Sequence, residues 1–142
     1  FGAYLGCSKK MKTFLINSCR SFIYSTALPP AIIAANLASL DVVEQEPQRR
    51  KTLLENADFF RKALKEKGLS IKGSSQIVPL ILGSTKKAVS MSQELLKEGI
   101  LVFPIRPPTV PKNQARLRFS LTYNHNKEIL KKVINQISKI LS

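Results

Sequence analysis

Acidic residues are scarce in this sequence of 142 residues, in which 9 Asp and Glu stand against 23 Lys and Arg for a formal net charge of +14. Tryptophan is absent, histidine occurs once and cysteine twice. Two cysteines make neither a metal-binding spacing nor a disulfide framework, so we expect a protein of the reducing cytoplasm. No stretch reaches 18 uninterrupted apolar residues, so we expect no membrane span and no membrane partner.

Familiar catalytic signatures are also missing. The sequence has no P-loop, GxGxxG, HExxH or CxxC pattern, and no paired carboxylates in a loop. The single histidine, His125, lies between two asparagines where a helix is predicted to begin, which favours a capping role over catalysis. We therefore predict no metal site and no Ser/His/Asp triad.

The composition is otherwise that of a globular protein, with 44% hydrophobic and 23% charged residues. The length allows one core of useful size and excludes two domains of normal size. The basic excess raises nucleic acid, an anionic surface or anionic small ligands as partners. A small basic nucleic-acid-binding or interaction module is thus one alternative, although the few aromatic residues are not interleaved with the basic ones.

The hydrophobic pattern predicts an α+β fold. In the first half, helices are expected over 9–19, from Pro29-Pro30 onward and over 48–67, with a strand at 3–7 and a segment at 20–28 that is first extended and then loop-like. The second of these helices is apolar nearly all round and is predicted to be buried. From residue 70 the order is β-α-β-β-α, which indicates a small, mostly antiparallel sheet with helices on one face. Its predicted elements are strands 76–83, 100–105 and 115–122 and helices 85–98 and 127–141, with Thr85 and Asn126 as helix caps.

Hydroxyl groups precede the helix that begins at Pro29-Pro30. Ser25 and Thr26 lie just before that helix and Arg20 lies close by in sequence. A helix N-terminus offers free N–H groups and a favourable dipole, so this combination suits a phosphate. An ordinary Ser/Thr helix cap is the alternative that the spacing leaves open.

A second group of polar residues surrounds a proline-rich loop at 106–114. Arg116 and Arg118 alternate with apolar residues on a predicted strand, so both side chains point to the same side. A guanidinium group binds a carboxylate through two parallel hydrogen bonds, and a rigid loop positions a hydroxyl such as that of Thr109. The alternative is that one arginine is solvated while the other pairs with an acid.

Both groups lie within longer motifs, FIYSTALPP at 22–30 and IRPPTVPKNQARLRFSLT at 105–122. These motifs resemble the α-oxoamine synthase family of fold-type I pyridoxal 5'-phosphate (PLP) enzymes. The resemblance implies a homodimeric PLP-dependent acyltransferase that condenses an amino acid with an acyl thioester and releases CO₂. The Arg-Pro-Pro-Thr-Val-Pro version of the loop favours the member that joins L-alanine to a pimeloyl thioester, carried on CoA or on acyl carrier protein, in biotin biosynthesis. The 5-aminolevulinate synthases and glycine C-acetyltransferases of the family are the alternatives.

The resemblance also implies roles for three residues. Arg118 would bind the carboxylate of the amino-acid substrate, Thr109 would line the substrate pocket, and Thr26 would contact the cofactor phosphate of the neighbouring subunit. The resemblance also implies a domain division. Residues 1–28 would be the end of the large PLP-binding domain, residues 29–67 would be connecting helices and residues 68–142 would be the small C-terminal domain.

One departure from the family pattern concerns the lysine that binds the cofactor covalently. In the family this lysine lies in a Gly-Lys motif that would precede Phe1, and Lys9, Lys10 and Lys12 do not match it. Lysine is the imine partner in this chemistry. We therefore expect no catalytic residue in this chain, no covalently bound PLP and no activity of the chain by itself.

Overall fold

A computed structural model describes residues 3–141. The chain divides into two compact units, the first ending at Glu46 and the second beginning at Pro47. No helix among the described residues is long and apolar enough to cross a bilayer.

The first unit is helical. It contains α1 (Lys9–Ser18), α2 (Arg20–Ile23) and α3 (Pro30–Gln45). The Ser8 hydroxyl caps α1 by accepting a hydrogen bond from the backbone N–H of Met11. Two predictions are wrong here, because residues 3–7 form no strand and the segment predicted as extended contains α2. A strand needs a neighbour for its backbone hydrogen bonds, and no strand lies within residues 3–46 to supply one.

Helix α3 begins where the double proline predicts, with Pro30 in its first turn. The prediction that it is buried is wrong within this structure, since no residue of α3 is buried. Only the short α1 and α2 accompany it in the described part of the first unit, which is too little to cover a helix that is apolar nearly all round. Large apolar side chains are consequently exposed along α3, namely those of Ile33, Leu37, Leu40, Val42 and Val43.

The second unit has the predicted β-α-β-β-α order after a long helix. Its elements are α4 (Pro47–Glu66), β1 (Ile77–Gly83), α5 (Thr85–Lys97), β2 (Phe103–Ile105), β3 (Ala115–Ser120) and α6 (Lys127–Leu141). The strands form one sheet in the order β1-β3-β2, with both pairs antiparallel. The α+β fold class is confirmed. Pro79 lies in β1, an edge strand, as its missing N–H predicts.

The core of the second unit lies between the sheet and the helices. Alternate residues of β3, namely Ala115, Leu117 and Phe119, are buried and meet buried side chains of the helices. The rings of Phe60 in α4 and Phe119 pack edge to face with centroids 5.2 Å apart. Full burial of such a side chain contributes about 1.5–3 kcal/mol, so this one face of β3 anchors the strand firmly.

The ends of the helices follow simple capping rules, with one correction. Gly68 and Gly99 have φ angles of 75°, a left-handed conformation that glycine adopts without strain and that ends α4 and α5. The Asn126 side chain accepts a hydrogen bond from the N–H of Ile129 at 3.0 Å, as predicted. The predicted cap Thr85 is instead the first residue of α5, and Ser84 caps the helix through the N–H of Lys87 at 3.1 Å.

A buried arginine connects α4 to the segment before β1. Arg61 is 6% exposed, and its guanidinium donates to the carbonyl oxygen of Ser75 at 3.0 Å and to the Asp58 carboxylate at 2.8 Å. The hydrogen bond from Arg61 and its positive charge hold the pKa of Asp58 below its ordinary value. Arg61 therefore satisfies a backbone carbonyl while its own charge is balanced.

Candidate functional site

The helix-free face of the sheet carries the two arginines of β3. Because side chains alternate along a strand, Arg116 and Arg118 lie opposite the buried Leu117. The strand register places Arg118 between Pro79 of β1 and Phe103 of β2. The sheet thus displays two cations on one face, about 6.6 Å apart along the strand.

The two arginines differ in what holds them. Arg116 is half-buried, and its Nε donates to the backbone carbonyl oxygen of Gln114 at 2.9 Å while Nη2 donates to the Gln114 side-chain oxygen at 3.1 Å. The partner of Arg116 is therefore an amide and not the acid that the sequence left open as an alternative. These two hydrogen bonds direct the Arg116 guanidinium back toward the loop.

Arg118 is exposed, and within residues 3–141 its side chain takes part in no hydrogen bond or ion pair. A guanidinium without an internal partner keeps its donor fork available for a planar anion. The Arg118 side chain can thus bind a carboxylate without first breaking an interaction among the described residues.

The proline-rich loop joins β2 to β3 directly. Thr109 is exposed, and its backbone N–H donates to the carbonyl oxygen of Arg106 at 3.1 Å in a turn. The peptide bond between Pro107 and Pro108 is cis. The loop places Thr109 in the same unit as Arg118, nine positions earlier in the chain, and the structure describes no hydrogen bond between them.

Thr26 lies in the irregular segment between α2 and α3. The neighbouring Ser25 hydroxyl donates to the backbone carbonyl oxygen of Ser21, whereas Thr26 is exposed. The N-cap of α3 is Pro29, which makes no side-chain capping hydrogen bond. The alternative of an ordinary Ser/Thr cap is therefore not what the structure shows.

His125 makes hydrogen bonds just before α6, whereas the cap of that helix is Asn126. The Nδ1 of His125 accepts a hydrogen bond from the backbone N–H of Thr122 at 3.0 Å, and its carbonyl oxygen accepts one at 3.1 Å from the side chain of Asn56 in α4. The described residues contain no group of three His, Cys, Asp or Glu side chains that could hold a metal ion.

Two residues near Arg118 are not evident from the sequence pattern. Phe103 lies directly across from it in β2, and Gln114 determines where its neighbour Arg116 points. Alternation along β2 suggests which face Phe103 occupies, but only the pairing of β2 with β3 shows that it lies beside Arg118. The hydrogen bonds that Gln114 accepts from Arg116 cannot be predicted from the spacing of residues in the sequence.

Comparison with known proteins places the chain among PLP enzymes. The profile of the family described as "Aminotransferase class I and II" matches residues 1–137. The chain is 42% identical over 140 residues to 8-amino-7-oxononanoate synthase of Lysinibacillus sphaericus, an alignment that covers 98% of this chain and 36% of that protein. The chain therefore spans about a third of the length of this curated relative.

Solved structures show the same similarity. The crystal structure of 8-amino-7-oxononanoate synthase from Francisella tularensis superposes with a TM-score of 0.80 at 32% identity, over 94% of this chain and 39% of that one. A structure of serine palmitoyltransferase (SPT) with PLP superposes with a TM-score of 0.84 at 27% identity, over 92% of this chain and 33% of that one. These similarities confirm the resemblance that the two sequence motifs predict.

Proposed function

Since the chain belongs to the aminotransferase class I and II family, we propose that it is the substrate-carboxylate-binding part of a PLP-dependent acyltransferase of the 8-amino-7-oxononanoate synthase type. The complete protein would join L-alanine to a pimeloyl thioester, with loss of CO₂ and release of the carrier thiol. The similarity to named synthases over nearly the whole chain supports this choice over the 5-aminolevulinate synthase and glycine C-acetyltransferase alternatives.

The proposal rests on the availability of the Arg118 side chain to a ligand. Its guanidinium is exposed on the helix-free face of the sheet and has no partner among residues 3–141. A cation in this position binds the carboxylate of the amino acid through two hydrogen bonds and so fixes the orientation of the substrate. Thr109, in the adjoining loop, would line the same pocket.

The described residues fit one part of a PLP site, the phosphate contact. The exposed hydroxyl of Thr26 is available to a phosphate oxygen, while that of Ser25 is engaged within its own chain. When bound, the cofactor supplies an electron sink for the pair of electrons released at the amino-acid α-carbon. No lysine of this sequence matches the family's covalent cofactor lysine, so this chain by itself would hold PLP only through noncovalent contacts.

The apolar surface of α3 supports a homodimer and the domain division given by the motifs. A helix with this many exposed large apolar side chains is typical of one that packs against more protein. We assign residues 1–28 to the end of a large PLP-binding domain, 29–67 to connecting helices and 68–142 to the small domain, with Thr26 serving the neighbouring subunit. The free Cys7 and Cys19 fit a cytoplasmic location.

The test is to assay the full-length protein, purified with PLP, on three substrate pairs. These are L-alanine with a pimeloyl thioester, supplied both on CoA and on acyl carrier protein, glycine with succinyl-CoA and glycine with acetyl-CoA, with release of the free carrier thiol and product mass as readouts. We expect turnover with the first pair only. Turnover with either glycine pair would overturn the assignment in favour of the corresponding alternative, and no thiol release above background hydrolysis from any pair would overturn the proposal of an acyltransferase.

A further inference from the structure

Apolar residues of the neighbouring strands border the exposed Arg118 on the helix-free face of the sheet. Phe103 is its partner residue in β2 and Pro79 its partner in β1, while Ile81 and Ile105 flank Arg116 in the next row. Phe103 has 58% of its surface exposed, so its ring is open to a ligand held beside Arg118. The face thus offers one available positive charge bordered by a bare aromatic ring.

This pairing has a consequence for any carboxylate that Arg118 binds. Partner residues of an antiparallel pair have Cβ atoms about 4.5–5.5 Å apart, so the ring of Phe103 lies within reach of a ligand held on the Arg118 guanidinium. An apolar group next to the carboxylate would lose water against this ring, whereas a ligand without such a group would gain nothing from it. The charge and the ring therefore select together for a carboxylate with an adjacent apolar substituent.

We propose that Phe103 is a specificity-determining residue that favours an amino acid with a small apolar side chain over glycine at the Arg118 site. This inference rests on the proposed function, and it assigns to Phe103 the discrimination of the methyl group of L-alanine. One buried methyl group corresponds to an affinity difference of about fourfold.

The experiment measures the dissociation constants of L-alanine and glycine by isothermal titration calorimetry on the full-length holoenzyme, without acyl donor. For Phe103→Ala we expect the affinity for L-alanine to fall about threefold to tenfold and that for glycine to change less than twofold. For Phe103→Glu we expect both affinities to fall more than tenfold, because a carboxylate opposite Arg118 pairs with the guanidinium and competes with the ligand.

A matched control separates this effect from a general effect of added charge. Leu96 in α5 is 57% exposed, nearly the same as Phe103, and lies on a helix away from the helix-free face. Leu96→Glu should leave both dissociation constants within twofold of the parent protein, and thermal melting checks that each variant is folded.

The outcomes distinguish the inference from the function on which it rests. A parent enzyme that binds and turns over L-alanine, combined with an unchanged ratio of L-alanine to glycine affinity in Phe103→Ala, would refute the role of Phe103 alone. A parent enzyme that does not bind L-alanine would refute the proposed function. If Phe103→Glu does not fold, the Phe103→Ala ratio still decides the matter.

Discussion

Gln114 holds the guanidinium of Arg116 with both of its oxygens, the backbone carbonyl at 2.9 Å from Nε and the side-chain oxygen at 3.1 Å from Nη2. Arg118, two residues along the same face, has no such partner among residues 3–141. Two arginines at equivalent positions of the alternating pattern thus differ in the folded chain, because the guanidinium of Arg116 is hydrogen-bonded and that of Arg118 is available to a ligand.

This inequality predicts different effects of removing each arginine. In the full-length enzyme, Arg118→Ala should weaken L-alanine binding by about 2–5 kcal/mol, because the substrate carboxylate loses its charged hydrogen-bond partner. Arg116→Ala should cost less than about 1.4 kcal/mol, since its guanidinium is already engaged by Gln114. The measurement is the KM and the calorimetric dissociation constant of L-alanine for both variants.

Arg116→Ala also serves as the control, because it removes a charge of the same kind from the same strand. Equal losses in the two variants would show that the face acts through its total charge. Unchanged L-alanine kinetics in Arg118→Ala would exclude the carboxylate-binding role of that residue.

The cap of α5 predicts a difference between adjacent hydroxyl residues. Ser84→Ala removes the acceptor of the Lys87 N–H and should lower the free energy of unfolding by about 1 kcal/mol. Thr85→Ala should be neutral to slightly stabilising, because Thr85 is the first helical residue and alanine has the higher helix propensity. Chemical denaturation of the two variants tests this. A larger loss for Thr85→Ala would restore Thr85 as the cap.

The Asp58–Arg61 pair predicts a pH-dependent contribution to stability. Arg61 lowers the pKa of Asp58 in the folded protein, so the carboxylate stabilises the fold at pH values above its ordinary pKa, and this contribution is lost as pH falls through the lowered pKa. Asp58→Asn should therefore melt at a lower temperature than the parent at pH 7, and the two should converge in acid once the pH has fallen through the lowered pKa of Asp58. A difference in melting temperature that persists in acid would show that the effect is not electrostatic.

Loss of Arg61 should be more damaging than loss of Asp58. Arg61→Ala leaves the Ser75 carbonyl without its donor and removes a side chain of which only 7% is exposed. We expect a loss of about 1–3 kcal/mol. Hydrogen exchange should show the effect first in the segment before β1, which the arginine ties to α4. Protection there equal to that of the parent would refute this role.

The elements and packing of the second unit could be predicted from the sequence, whereas in the first unit the helices α1 and α3 could be predicted and the burial of α3 could not. In β3 the alternation of Leu117 and Phe119 with arginines predicts a sheet with one buried face. The helices that cover this face belong to the same unit, residues 47–142. The apolar pattern of α3 predicts burial equally well, but residues 3–46 contain nothing large enough to bury it. Periodicity tells which side of an element is apolar, while the identity of its neighbour is a property of the fold.

The candidate site shows the same limit. The motif around Arg118 predicts a carboxylate-binding arginine, whereas the positions of its neighbours Phe103 and Gln114 depend on strand pairing and on a side-chain rotamer. Thr109 and Thr26 are where the motifs predict, in exposed segments next to regular elements, and their roles stay predictions.

Because side chains alternate along β3, the same six residues supply core side chains on one face of the sheet and candidate-site side chains on the other. Inserting one residue directly after Arg116 would exchange the faces of the rest of β3, so that Arg118 would point into the core and Phe119 away from it. Substitutions on the helix-free face can therefore alter ligand preference while the fold persists, but a change of length by one residue within β3 would disturb both together. A library that diversifies ligand preference should accordingly vary residue identity in β3 and keep the length of the strand fixed.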